Sequence, residues 1–177
     1  MNFINNSQYT RLARQALEYF LKTGKDIELP PDFNDVFIQA SVFVSIKKSG
    51  KNRGCIGTIY PNKPNIGLEI IYCAIRAGTQ DPRFWAVNLE ELKNLSFSVD
   101  VLSIPQKNIK TCDLDPNEYG IIIYNDKKRG IVLPKLEGIN TVEEQLKLVK
   151  FKAKIHDNEP FKIDKFTTVR HIETGIT

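Results

Sequence analysis

Three observations predict an α+β fold with a mainly antiparallel sheet flanked by helices. Apolar residues recur every second position in some stretches and about every 3.6 in others. The strand-like stretches come in hairpin groups and do not alternate regularly with helices, which disfavours a parallel βαβ layout. A chain of 177 residues, 41% of them hydrophobic, buries roughly 70% of its extended surface, enough for a core without disulfides or metals.

Ser7 can cap a helix running to about Lys22, with Leu12, Ala13, Ala16, Leu17 and Phe20 on one stripe and Gly24 beyond its end. Pro30 and Pro31 then break the pattern. From Ala40 the period becomes two, with Val42, Val44 and Ile46 on one face and Ser41, Phe43 and Ser45 on the other. Ser49-Gly50 turns this strand into a partner spanning Arg53 to Tyr60. Asn65 can cap a helix to about Ala77 that is apolar nearly all round, and so deeply buried.

Asp81-Pro82-Arg83-Phe84-Trp85 forms a polar turn, and Asn88 with Glu91 resembles a capping box for a short helix. Leu95, Phe97, Val99 and Val101 alternate with Ser96, Ser98 and Asp100 in a strand that Pro105 stops. Tyr119 to Tyr124 and Gly130 to Leu133 form a second hairpin around Asn125 to Arg129. Thr141 and Glu144 make a capping box for a helix through about Lys154, and Ile163 to Ile172 reads as one last strand.

Composition excludes several classes. No apolar run approaches the roughly 20 residues of a membrane span, and the segment from Met1 to Lys25 carries Arg11, Arg14 and Glu18 in place of a signal core, so a cytoplasmic protein with no membrane partner is expected. Cys55, Cys73 and Cys112 are odd in number and widely spaced, which argues against a disulfide framework. With only two histidines and no paired metal-ligand spacing, neither a metal nor a cofactor is expected. A net charge of +4 is too mild to argue for nucleic acid by itself.

The most unusual stretch is Arg53-Gly54-Cys55-Ile56-Gly57-Thr58. On a strand, Arg53 and Cys55 share a face, about 6.6 Å apart along the chain. An ordinary thiol is only about 3% ionised at neutral pH, and a cationic neighbour raises that fraction. Gly54 and Gly57 weaken a strand, a cost tolerated where another backbone or a ligand comes close. The alternative is that Cys55 is a small buried hydrophobe and the glycines mark a bulge. Cys73, on the buried helix, reads as core and Cys112 as incidental. A Cys-His dyad would need His156 or His171; either can reach Cys55 in space, and the spacing does not say whether it does. In the turn, Asp81 can bond backbone amides while Arg83 either clamps an anion or pairs with Asp81 or Asp100. The basic tips Lys47, Lys48, Lys51, Arg53 and Lys127, Lys128, Arg129 either grip phosphates or are solvated edges.

The stretch Arg53 to Thr58 resembles the hallmark of the AMMECR-type domain. Ala40 to Val44, Asp81 to Phe84, Ser98 to Ser103, Tyr119 to Ile122 and Arg129 to Pro134 follow the family's order, so the likeness runs from about Ser7 to Ile172. The resemblance implies that residues 1–177 form one domain with a larger subdomain, a smaller one, and a cleft between them lined by the hallmark. Because some relatives are encoded beside or fused to Memo-type and radical S-adenosylmethionine proteins, it implies those as partners. Lys135 and Lys154 depart from the family's usual glutamine and glycine; if they line the cleft, its ligand differs.

The function these readings favour is a cytosolic binding or accessory domain. Its candidate ligand-binding residues are Arg53, Gly54, Gly57, Thr58, Asp81 and Arg83, and its ligand is a small anion or a partner's segment. The alternative is a thiol-dependent enzyme with Cys55 as nucleophile or general acid, Arg53 as thiolate stabiliser and Thr58 as hydrogen-bond partner. A weaker alternative is a module that binds nucleic-acid phosphates through the basic tips.

Overall fold

The computed structural model describes residues 2–174. Among these residues twelve strands and α-helices follow in order: β1 (Asn2–Asn5), α1 (Gln8–Thr23), β2 (Val42–Lys48), β3 (Lys51–Gly57), α2 (Ile66–Thr79), α3 (Leu89–Leu92), β4 (Leu95–Leu102), β5 (Gly120–Tyr124), β6 (Arg129–Val132), α4 (Val142–Ala153), β7 (Lys162–Phe166) and β8 (Thr168–Ile172), with a 3-10 turn at Thr111–Asp113. The α+β expectation holds. One sheet is five-stranded, mixed and mostly antiparallel, in the order β1-β8-β4-β2-β3; the other is three-stranded, in the order β6-β5-β7. The chain divides into two compact units, one built on Phe3–Val101 and the segment from Val169, the other on Leu102–Thr168. Among the described residues, no helix is long and apolar enough to cross a membrane.

In the first unit, Ser7 caps α1 by accepting from the Tyr9 amide, and Gly24 ends the helix in the left-handed region at φ 72°. Asn65 caps α2 by accepting from the Leu68 amide. The two helices bury Leu12, Ala16, Leu17, Ile70, Ala74 and Ile75 against Val42, Val44, Ile46, Phe97 and Val99 of the sheet. Because side chains alternate along strands, this apolar packing consigns Ser45, Cys55, Ser98 and Asp100 to the opposite face. α2 comes close at Gly54: a Cβ there would lie 2.1 Å from the Ala77 carbonyl oxygen. The backbone approach thus comes from a helix.

In the second unit, the Thr141–Glu144 capping box starts α4, which buries Val149 and Ala153 over the smaller sheet. Gln145 is fully buried, and its amide donates to the Tyr119 carbonyl at 2.8 Å, tying α4 to the start of β5.

Two expectations need correction. The stretch Ile163 to Ile172 is not one strand: it contains β7 in the smaller sheet and β8 in the larger, parted at Thr167, whose amide donates to Ser103 Oγ instead of a ladder partner. Both halves carry strand-like residues, so period alone does not show the break. The partner of β2 ends at Gly57 and not at Tyr60, although Thr58 still donates its amide to the Val42 carbonyl.

Lys154 closes α4 at φ 56°, and Lys135 sits at φ 53°. Both are exposed. A left-handed conformation costs an L-residue about 1 kcal/mol that glycine avoids. Lys154→Gly is therefore expected to stabilise the protein by about 1 kcal/mol and raise the melting temperature by about 2–4 °C, read by thermal denaturation. Gly54→Ala is expected to cost about 3 kcal/mol in urea denaturation, because backbone on both sides must part.

Candidate functional site

The outer face of the larger sheet is built in rows. Cys55 faces Ser45 and Ser45 faces Ser98; in the next row Gly57 faces Phe43 and Phe43 faces Asp100. The Phe43 ring lies over Gly57, where a Cβ would come 2.2 Å from its Cγ. Ser45 Oγ lies 3.2 Å from Cys55 Sγ and donates to it. Burial pushes the Cys55 thiol up from its ordinary value; the Ser45 hydrogen bond and Arg83 oppose this, and Asp100 and Asp81 reinforce it. The resting group is a neutral thiol.

Two arginine–aspartate pairs flank this thiol. Asp81 Oδ2 accepts from the Cys55 amide at 2.8 Å and from Arg83 Nη2 at 2.7 Å, while Oδ1 accepts from the Arg83 amide at 3.1 Å and Nε at 3.0 Å. Its bond to Arg83, despite the cost of burial, holds the carboxyl down at about 2. Fully buried Asp100 accepts from Arg170 Nε at 2.7 Å and Nη2 at 2.8 Å. Each guanidinium spends Nε and Nη2 on its aspartate. Neither Nη1 has a hydrogen-bond partner among the described residues. Arg83 has 57% of its side chain exposed and Arg170 29%.

The structure brings some of the expected site residues together and gives others different work. Arg53 is the extra residue where the β2–β3 register shifts, between Gly54 opposite Ile46 and Asn52 opposite Lys47; it turns its fork to Glu91, with bonds of 2.8 and 2.9 Å, and donates to the Trp85 carbonyl at 2.9 Å. Arg83 and Arg170 are the cations that act on the thiol. Glu91 correspondingly does not complete a capping box: Asn88 accepts from its amide, but its carboxylate serves Arg53 and Lys48. Thr58 is buried and donates to Glu69 at 2.8 Å. Gly54 and Gly57 are occupied by Ala77 and Phe43.

The remaining candidates also find structural surroundings. Cys73 is fully buried and Cys112 exposed. The His171 ring packs at a tilt of 47° against Tyr9 with centroids 4.5 Å apart, and burial holds its pKa below the ordinary value. Lys48 is paired with Glu91 and Lys128 with Glu159. Among the described residues, no cluster of three or more His, Cys, Asp or Glu side chains could hold a metal. Ser45 and Arg170 escaped sequence reasoning. Ser45 is legible as the outward partner of an alternating strand, whereas nothing in the order of residues points Arg170 at Asp100, 70 positions away.

Fold and face together define an α+β domain whose larger sheet presents a cysteine between two side-on arginine–aspartate pairs. The chain belongs to the AMMECR1 family, whose model matches residues 10–171. It is 47% identical over 171 residues to Protein CA_C1420 of Clostridium acetobutylicum, covering 94% of this chain but only 36% of that one. It is 40% identical over 172 residues to a Thermotoga maritima protein, covering 95% and 99% of the two chains. The crystal structure of the uncharacterised protein PH0010 from Pyrococcus horikoshii superposes with a TM-score of 0.82 at 31% identity, covering 92% of this chain and 88% of that one.

Alkylation followed by mass spectrometry is expected to label Cys112 first and Cys55 slowly, with half-maximal rate above the ordinary thiol value of 9.0. Cys73, pushed up to about 12 by burial, should label only on unfolding. Because the folded carboxyl of Asp81 lies below its ordinary 3.8, its contribution to stability is present above about pH 4 and is lost as the pH falls toward 2. The urea midpoint of the wild type is therefore expected to exceed that of Asp81→Asn at pH 6, and the gap to shrink steadily on acidification.

Proposed function

We propose that this protein is a binding or accessory domain whose outer sheet face around Cys55 takes up a small anion or an anionic segment of a partner protein. The observation that carries this reading is the presentation of Arg83. Buried Asp81 fixes its guanidinium through two hydrogen bonds, and more than half of the side chain still faces outward with Nη1 uncommitted. An oriented planar fork loses little freedom on meeting a carboxylate or phosphate. Arg170, held by Asp100 in the same side-on way, supplies a second donor, and the neutral Cys55 thiol and Ser45 add weak polar contacts.

The other sequence candidates hold this face in place. Arg53 and Asp81 anchor the loop that carries Arg83, Thr58 is bound to Glu69, and the two glycines admit α2 and Phe43. A Memo-type or radical S-adenosylmethionine partner fits an accessory role and enters through the family likeness. The Clostridium relative, of which this domain matches 36%, is the kind of longer chain in which a partner segment would be joined to it.

Thiol catalysis is less favoured. It needs a thiolate at Cys55, which burial and two neighbouring aspartates oppose, and the arginine expected to stabilise it serves Glu91. Phosphate gripping by the basic tips is weakened by the pairing of Lys48 and Lys128 with carboxylates.

Thermal denaturation with inorganic phosphate or citrate tests the anion reading. A ligand at about 100 times its dissociation constant adds about 2.7 kcal/mol, a rise of several degrees for a domain of this size. The rise is expected to vanish in Arg83→Ala and to persist in Arg11→Ala, which alters an exposed arginine paired with Asp32. No rise with either anion, or a full rise in Arg83→Ala, overturns the reading.

A further inference from the structure

Trp85, the only tryptophan in the chain, is 93% exposed. Single exposed apolar side chains are ordinary, and Phe37, Ile104 and Phe151 are comparably bare. Trp85 differs in how its backbone is held and in what lies beside it.

The loop that carries it is pinned from both sides. The Phe84 amide donates to the Asp81 carbonyl at 3.1 Å and the Val87 amide to the Gly78 carbonyl at 2.7 Å. Arg53 Nη1 grips the Trp85 carbonyl at 2.9 Å, and Arg53 is itself locked to Glu91. The half-buried Phe84 ring lies 6.0 Å from the Arg53 guanidinium and 5.4 Å from that of Arg83. A bulky indole is thus held out in water on a backbone that has little freedom left.

Two residues before it stands Arg83, whose fork is fixed by Asp81 and whose Nη1 is uncommitted. Two steps of chain separate their Cα atoms by at most about 7 Å, so both side chains can reach one small molecule. An oriented guanidinium reads an anionic group, and an exposed indole offers a planar surface on which a flat ring stacks. Phe37, Ile104 and Phe151 have no arginine within two residues.

We propose that Arg83 and Trp85 form a two-point reader for a mononucleotide-class ligand, with the phosphate on the Arg83 fork and the base on the Trp85 indole. This rests on the anion reading above and narrows it to phosphates that carry a planar ring. The Arg83 guanidinium and the Trp85 backbone are already fixed in the free protein, so binding has only the torsions of the indole left to order.

Isothermal titration of the full chain with adenosine 5′-monophosphate and with ribose 5-phosphate, which keeps the anion and lacks the base, separates the two levels. With one tryptophan present, indole fluorescence reports the stacking site directly. Adenosine monophosphate is expected to bind about tenfold more tightly than ribose 5-phosphate, the scale of one stacked base, and to quench the fluorescence. Trp85→Ala, an exposed position, should leave ribose 5-phosphate affinity within about twofold and erase the advantage of the nucleotide; Trp85→Phe should retain part of it. Equal affinity for the two ligands, with unchanged fluorescence, overturns the ring platform and leaves the anion reading standing. Failure of both ligands to bind at millimolar concentration overturns the two readings together.

Discussion

Asp81 accepts four hydrogen bonds through two carboxylate oxygens, one from the amide of Cys55 on β3 and three from Arg83. β3 is the last strand of its sheet, and an unprotected strand edge invites pairing with other chains. The Asp81 carboxylate occupies the outward amide in the middle of that edge, and the Arg53 bond to the Trp85 carbonyl clasps the same loop from the other side. One buried carboxylate therefore protects the edge, sets the position of the thiol and aims the guanidinium that faces outward.

The other side of the sheet imposes a second constraint. α2 lies so close to β3 that Gly54 cannot carry a Cβ beside the Ala77 carbonyl. With the apolar face closed by helices, the polar residues of β2, β3 and β4 have only the outer face to occupy. Asp100 is completely buried there and compensated by Arg170. A buried ion pair of this kind is a poor source of net stability because desolvation offsets much of the attraction. Its value in the proposed reading is directional, since it holds a second guanidinium at a fixed place beside the thiol.

The family's hallmark is legible as a motif, yet most of its residues turn out to be engaged by other parts of the fold. Arg53 and Cys55 are neighbours by strand spacing, and spacing alone suggests that the guanidinium serves the thiol. Spacing omits Glu91, 38 positions further on, which offers Arg53 a bidentate partner that a sulfur atom cannot match. Gly54 and Gly57 signal a close approach correctly, while the identity of what approaches depends on the placement of α2 and the rotamer of Phe43. Asp81-Arg83 is the opposite case. Two residues apart in a turn, they form one of the pairs the local sequence offers, because no distant element has to arrive first.

The sequence by itself determined the local elements: the Ser7, Asn65 and Thr141 caps, the period-two strands, the Ser49-Gly50 turn and the α+β class. These depend on hydrogen bonds and side-chain periodicity within a few residues of each other. Only the tertiary structure decided that Arg53 serves Glu91, that Arg170 meets Asp100, that the last strand-like stretch is shared between two sheets, and that Cys55 rests as a neutral thiol. Each of these depends on which distant groups are brought together and how far water is excluded, and neither is encoded in spacing along the chain.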